Sequence, residues 1–302
     1  MAPIVPPDTV VYGIQLPIQA QSNYFVEPWE KSAGTAEMAA VARAADESGF
    51  FYVGVCDHVA IPKELVPAMG AIWYDTVATL GWIAAQTTRT RLLSSVFNVT
   101  YRSPLVTANS FATLDALSNG RVILGVGAGH VEKEFAAVGA SYDTRGKDTD
   151  EALRVIDAAL REGAYDGLAI EPISVQSPRP PIWVGGGAPA AVRRAAKLAD
   201  GWLPQGTPLD QMPDLVELYR RERGDDTGDI GAISEWIYVG EPAWDLDRPA
   251  LTGQPEAIAD GLRAWAKVGV NHLQVRFPSR SVDELIDQVT AFGSTVGPLL
   301  NA

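Results

Sequence analysis

The sequence predicts an α/β chain closed as a (β/α)8 TIM barrel, and three observations carry that expectation. Short apolar runs with β-branched residues alternate eight times with helix-like segments along 302 residues. The runs are continuously apolar, as parallel strands must be when helices cover both faces of their sheet. Eight such units match the length of a closed barrel, typically about 250 residues. The rival is an open doubly wound sheet, but the first βα turn has no GxGxxG, which weakens a dinucleotide-binding version of it.

The first strand is VVYGIQL, residues 10–16, and its helix runs from about Thr35 to Ser48, with Gly49 as the stop. FFYVGVC (50–56) is the second strand. A loop rich in Pro and Gly follows, then a helix from near Asp75 that ends before Thr87. RLLSSVFNV (91–99) is the third strand; Ser103 and Pro104 supply an N-cap and first-turn proline, and Asn119-Gly120 stops that helix. RVILGVG (121–127) is the fourth. Its helix shows an apolar stripe of Ala152, Val155, Ile156, Ala159 and Leu160, ended by Gly163. Residues 164–181 read as an insertion between helix four and strand five, holding a short strand candidate and then SPRPP. IWVGG (182–186) is the fifth strand, with Pro189 opening its helix, and GWLPQ (201–205) the sixth, with a helix over roughly 211–222. The polar loop RGDDTGD precedes strand seven, ISEWIYVG (233–240). Pro255 opens a helix with Ile258, Leu262 and Trp265 on one side. HLQVRF (272–277) is the eighth strand, and Ser281 with Glu284 forms a capping box for the last helix. No domain boundary interrupts the pattern, so residues 1–302 read as a single barrel domain.

Composition narrows the function. The chain is 47% hydrophobic and 20% charged, which permits a sizeable core. Its formal net charge of −13 argues against nucleic acid and anionic membranes as partners. It does not exclude a small anionic ligand, because a pocket can be locally positive in a negative protein. Cys56 is the one cysteine, so an intrachain disulfide is impossible and a reducing cytoplasm is compatible. MAPIVPPDTVVYG lacks the basic start and long apolar run of a signal peptide, and no segment holds 18 uninterrupted apolar residues. A cytoplasmic protein is the expectation.

Active sites of barrels sit at the C-terminal ends of the strands. Gln15-Leu16-Pro17, Asp57-His58, Ser95-Val96 through Asn98, GVGAGH (125–130) with Glu132 and Glu134, GGGAP (185–189) and Gln205-Gly206 stand there. GGGAP reads either as a phosphate cradle, with close backbone approach and a helix N-terminus, or as a tight turn needing positive φ. Gly127 and Gly129 leave room for a flat ring or a bulky neighbour, or serve close strand–helix packing. His58 and His130 are two of only three histidines, and imidazole suits proton transfer near neutral pH. The alternative is that Asp57 caps local backbone while His58 is a wall residue. His272 opens strand eight at the opposite end and reads as structural. There is no His-x-His start for a metal hydrolase, so no metal is expected, and no GxSxG for a serine hydrolase.

VCDHVAIP, YRSPLVTANSFATLDALSNGRVILGVGAGHVEKEF and PPIWVGGGAPAAVRRAAKLADGW together carry a family likeness. From about residue 10 to 296 the chain resembles the luciferase-like flavin or deazaflavin oxidoreductases, a (β/α)8 family, and within them the coenzyme F420 branch rather than the FMN branch. The resemblance implies a non-prolyl cis peptide at Ser95–Val96, forming a bulge behind the cofactor ring. It implies phosphate binding by the backbone N–H groups of Gly187 and Ala188, beside Gly186, with Gln205 as a further polar contact. Asp57 would touch the cofactor's polar edge or ribityl chain, and Asn98 and Gly127 belong to the same cofactor set. His58 would sit beside the carbon that accepts hydride. His130 departs from the Trp or Glu of other members and is a candidate proton donor. Glu134 matches an acidic position and is assigned to the helix start.

The resulting expectation is a two-electron oxidoreductase: His58 removes a hydroxyl proton as hydride passes to F420, or donates a proton in reverse. An FMN monooxygenase and a non-catalytic binding barrel stay open as alternatives. Gln15, Trp73 and Tyr74 are assigned to the substrate pocket, and for Trp73, Tyr74 and Phe97 alike core packing is the equal alternative to walling it. Loops 17–34 and 60–75 mix Tyr24, Phe25, Trp29, Trp73 and Tyr74 with few charges (Lys31, Lys63, Glu64), so the small-molecule substrate is expected to be largely apolar and not a sugar phosphate. Similar proteins are commonly homodimers, and a homodimer is expected.

Overall fold

The computed structural model describes residues 3–23, 25–225 and 227–301. Among these, eight parallel strands form a closed ring: β1 (Val11–Gln15), β2 (Tyr52–Val55), β3 (Arg91–Ser94), β4 (Val122–Gly127), β5 (Ile182–Gly185), β6 (Gly201–Leu203), β7 (Asp229–Val239) and β8 (His272–Arg276). Each strand pairs with the next, and β8 closes the ring onto β1 through Val11↔His272. The chain is a (β/α)8 barrel. The outer helices are α1 (Thr35–Glu47), α2 (Thr76–Ala84), α3 (Pro104–Leu117), α4 (Arg145–Glu162), α5 (Pro189–Leu198), α6 (Met212–Arg223), α7 (Pro255–Lys267) and α8 (Val282–Ala291).

Local chemistry sets the helix ends. Asp75 Oδ1 accepts the Ala78 N–H at 2.8 Å and starts α2, a cap worth about 1 kcal/mol. Gly49 (φ +77°) and Gly163 (φ +61°) take the left-handed conformation that ends α1 and α4. Ser103 occupies the N-cap position of α3, but its hydroxyl makes no capping bond; its carbonyl accepts from Thr107 N. Only half of the expected capping box forms at α8. Ser281 Oγ accepts from Glu284 N at 3.2 Å, while the Glu284 carboxylate turns to Arg280, Tyr238 and Trp244. In α7, Ile258, Leu262 and Trp265 bury one stripe against the barrel, at about 1.5–3 kcal/mol for each fully buried side chain. The α4 stripe includes Leu153 in place of Val155, which is only half-buried.

One further difference from the sequence expectation has a clear cause. β7 begins at Asp229, four residues before Ile233. Asp229 reads as a loop residue, yet it is buried because its carboxylate accepts from Ile4 N (3.1 Å), Val5 N (3.0 Å) and Trp183 Nε1 (2.9 Å). These bonds fix the N-terminal segment across the bottom of the barrel. Two short helices, Val66–Met69 and Glu132–Val138, also interrupt stretches that carry no helical period. The 164–181 segment is a small hairpin, Ala164–Tyr165 against Leu168–Ala169, followed by extended chain. Gln176 pins it to Asp115 and to the carbonyl of Val122, and Arg91 reaches Gln176. Arg91 and Val122 start their strands, so the insertion lies toward the rim opposite the strand ends.

The Ser95–Val96 peptide is cis. It separates β3 from a two-residue continuation, Phe97–Asn98, that pairs with Val126 and Gly127 of β4. His272 is fully buried near the start of β8, stacked on Trp183 at 4.0 Å, and burial holds its imidazole down to about 3. It stays neutral and belongs to the core.

Candidate active site

The ends of β1, β2, β3, β4, β6, β7 and β8 supply the walls of one cavity of about 1090 Å³. A pocket for one drug-sized ligand is usually ~300–1,000 Å³. This one has room for two small molecules side by side.

Asp57 and His58, adjacent at the end of β2, point into different surroundings. The Asp57 carboxylate is buried and saturated. It takes a two-pronged bond from Arg102 (2.8 Å on each oxygen), the Asn98 N–H (2.9 Å) and the Thr76 hydroxyl (3.1 Å). Asn98 Nδ2 returns to the Asp57 carbonyl at 2.8 Å. Arg102 itself lies over the Phe97 ring, which is buried in the core. This network ties β2 to the β3 bulge.

His58 turns the other way, and its Nδ1 stands 2.8 Å from Glu134 Oε2. Glu134 is 1% exposed and also accepts from Val59 N, Ala60 N and Tyr101 OH. Burial pushes its carboxyl upward, but the bond and charge of His58 and the two N–H groups outweigh it and hold it below the usual range. An ionised Glu134 makes Nδ1–H the donor and leaves the other ring nitrogen, Nε2, with its lone pair free. Nε2 has no partner among the described residues, and His58 lines the cavity. The Trp73 ring packs 4.4 Å from the imidazole and the His130 ring 5.5 Å from it. His130 is exposed toward the cavity. The surrounding protein and the neighbouring His58 still lower its proton affinity, against the pull of Glu134.

Ser95 and Val96 also line the cavity. A Cβ on Gly127 would lie 2.5 Å from Val96 Cγ2, and one on Gly185 would lie 2.7 Å from Val96 Cγ1. The bulky neighbour for which Gly127 leaves room is therefore Val96. Gln205 Nε2 approaches the Ser95 carbonyl at 3.3 Å.

The glycine-rich turn stands beside the cavity rather than in its wall. Gly186 adopts φ +112°, and its carbonyl accepts from Trp202 Nε1 at 2.8 Å. The N–H groups of Gly187 and Ala188 meet no acceptor among the described residues. A Cβ on Gly187 would come 2.5 Å from Thr207 Oγ1, and Thr207 does line the cavity. Two free N–H groups and a spot too tight for a side chain fit an anionic group arriving along the backbone.

The structure thus gathers Gln15, Asp57, His58, Trp73, Ser95, Val96, Asn98, His130 and Gln205 around one cavity. Gly127, Gly186, Gly187 and Ala188 stand behind or beside it. Tyr74 does not line it and packs on the core, and Trp29 bonds Ser279 instead. Tyr24 lies outside the described residues. Glu134 is not merely a helix-start residue: its carboxylate leaves its own helix for His58. Sequence reasoning also missed Arg102, Trp236 and Arg276. Arg102 stands in the YRSP stretch, and a cation there was the one available signal for a partner of Asp57.

The sequence profile of the luciferase-like monooxygenase family matches residues 16–239, and the chain belongs to that family. Among relatives, the chain is 33% identical over 273 residues to an F420-dependent glucose-6-phosphate dehydrogenase of Kineococcus radiotolerans, covering 84% of this chain and 77% of that one. It is 30% identical over 270 residues to an uncharacterized protein of Mycobacterium tuberculosis, covering 82% and 89%. The fold is shared with the monooxygenase RslO1 of Streptomyces bottropensis (TM-score 0.78, 23% identity, 96% and 99% of the chains). It is shared too with the coenzyme F420 dependent tetrahydromethanopterin reductase of Methanopyrus kandleri (0.73, 19%, 96% and 99%). A third structure is the oxygenating constituent of 3,6-diketocamphane monooxygenase of Pseudomonas putida in complex with FMN (0.75, 14%, 97% and 99%).

Proposed function

We propose that this chain is a coenzyme F420-dependent oxidoreductase that transfers a hydride between the deazaflavin and a small, largely apolar alcohol/carbonyl, imine or alkene. The observation that carries the reading is His58, oriented by buried Glu134, on the wall of a cavity with room for both cofactor and substrate. The name of the Kineococcus relative supports F420 as the cofactor.

Gly187 and Ala188 N–H would hold the cofactor phosphate beside Gly186, and the Ser95–Val96 bulge would back the ring. Bound deazaflavin supplies the hydride acceptor or donor. His58 Nε2 takes the proton from a substrate hydroxyl, and Glu134 holds the ring in that tautomer and stabilises the imidazolium. In the reducing direction the same nitrogen donates the proton. His130, whose ring lies beside that of His58, is the second proton-transfer group. Trp73 and Gln15 shape the substrate side. Asp57 acts on the site by fixing Asn98 and the bulge. A cytoplasmic homodimer completes the proposal, and sedimentation velocity tests its dimeric part.

Titrating the purified chain with F420 and with FMN is the decisive experiment. Tight F420 binding, with turnover lost in His58→Asn, supports the reading. The likeness to an FMN-bound oxygenase favours a second reading, an FMN monooxygenase. Tight FMN binding with substrate-dependent oxygen uptake selects it. Binding without turnover over a broad substrate panel selects a non-catalytic barrel.

A further inference from the structure

We infer that the β7–β8 side of the cavity is a carboxylate-binding subsite, in which Arg276 holds a substrate with an apolar body and one carboxylate. The inference rests on the oxidoreductase reading of the same cavity and names its substrate class more closely. Arg276 is the last residue of β8 and lines the cavity. Its Nε donates to the Ser234 carbonyl at 3.0 Å, and its guanidinium lies over the Trp236 ring at 4.7 Å. Both contacts fix the plane of the fork. Its two terminal nitrogens meet no acceptor among the described residues, and no carboxylate pairs with it.

Three other cations near this mouth are already matched. Arg102 pairs with Asp57, Arg248 with Glu27 at 2.8 Å, and Lys133 with Glu64. Glu235 acts on Arg276 from a distance but accepts its bond from Trp265 Nε1 at 3.0 Å. Burial, reinforced by Arg248, lowers the proton affinity of Arg276 against the pull of Glu235.

A fixed planar fork whose two terminal nitrogens are free matches the two oxygens of a carboxylate. A dianionic phosphate ester would want a second free cation. It would meet Glu235 instead, which lines the same cavity and has no ion pair among the described residues. The glycine-rich turn follows β5, three strands from β8 around the ring, so an anion at Arg276 is not the anion at that turn. Phe25, Leu65, Met69 and Trp73 offer the apolar wall for the rest of the molecule.

The test is calorimetry on the cofactor-free chain with three matched probe series: ω-phenylalkanoates, phenylalkanols and phenylalkyl phosphates of graded length. At least one carboxylate should bind about tenfold or more tightly than its alcohol, as expected for a charge-assisted two-point bond. Arg276→Gln should abolish that preference and Arg276→Lys should keep part of it, while F420 affinity stays unchanged in both. Equal binding of acids and alcohols by wild type overturns the inference, as does a preference that survives in Arg276→Gln. So do phosphates that outbind carboxylates, or an Arg276→Gln defect confined to F420. If Arg276→Gln fails to fold, the loss in Arg276→Lys, which keeps charge without the fork, decides. A carboxylate preference in a wild type that does not bind F420 supports the subsite and removes only the oxidoreductase reading.

Discussion

Replacing Glu134 with Gln changes one atom, and the structure dictates where the change goes. Four donors converge on this carboxylate: His58 Nδ1–H, the Val59 and Ala60 N–H groups and Tyr101 O–H. A Gln amide brings one acceptor and one donor. An NH2 placed toward Val59 and Ala60 would face two backbone donors that cannot rotate away. Placed toward His58 and Tyr101, it meets groups that can accept once the imidazole moves its proton to Nε2. The second arrangement is cheaper, so Glu134→Gln should invert the His58 tautomer and turn the cavity-facing nitrogen from acceptor to donor. Losing a positioned general base costs about 10²–10⁴ in turnover. Exchanging charged for neutral hydrogen bonds in a fully buried site costs about 1–3 kcal/mol of stability. Because the folded carboxyl lies below its usual 4.5, its contribution is complete above that pH. It is lost as pH falls through the lower folded value, so the stability gap between wild type and variant should narrow on acidification. With three histidines in the chain, ¹⁵N-histidine labelling reads the tautomer directly at alkaline pH. An Nδ1-protonated His58 in the variant, or a gap that does not change with pH, would refute the argument.

Other outcomes follow from the same contacts. Asp57→Asn breaks a buried two-pronged ion pair and should cost about 3–5 kcal/mol in denaturant unfolding; a fully stable variant with weak cofactor binding would instead make Asp57 a ligand contact. Gly127→Ala drives a methyl to 2.5 Å from Val96 and should destabilise by about 1–3 kcal/mol while weakening cofactor affinity, both measurable on one preparation. Burial raises the Glu27 carboxyl to about 7, against its Arg248 partner. Its folded value lies above the unfolded 4.5, so its protonated form contributes stability at low pH that is lost as pH rises toward 7. Glu27→Gln should remove that slope from the stability–pH curve, and an unchanged slope would contradict it.

What was legible in the sequence was whatever a strand or helix announces locally. A continuous apolar run ending in Asp57-His58 or in a glycine cluster marks a strand and its rim, and those ends did come together. The β7 start was not legible, because Asp229 is polar and its burial depends on Ile4, Val5 and Trp183 far along the chain. Nor was the Glu134–His58 bond, which joins residues 76 positions apart. Four residues after His130 and three into a short helix, Glu134 has every local mark of a helix-start acid. Arg276 failed for a related reason: the last residue of a strand can turn either way, and only the Ser234 carbonyl and the Trp236 ring settle its direction.

The charge of the protein and the charge of its cavity then come apart for a physical reason. A chain of net charge −13 would be expected to repel an anion. Yet acids around the mouth are consumed one by one: Asp57 by Arg102, Glu134 by His58 and backbone N–H groups, Glu27 by Arg248, Glu64 by Lys133, and Glu30 by the N–H groups of Ile18 and Glu27. Each pairing holds a loop to its neighbour, and the ion pairs among them offset the negative charge at the mouth. Glu132 and Glu235 line the cavity without an ion pair among the described residues, and at the rim stand donors without an acceptor: the N–H groups of Gly187 and Ala188 beyond β5 and the terminal nitrogens of Arg276 at the end of β8. These donors stand on different sides of the ring, and on the proposed reading the rim would hold two anionic groups at once around the proton-transfer role assigned to His58.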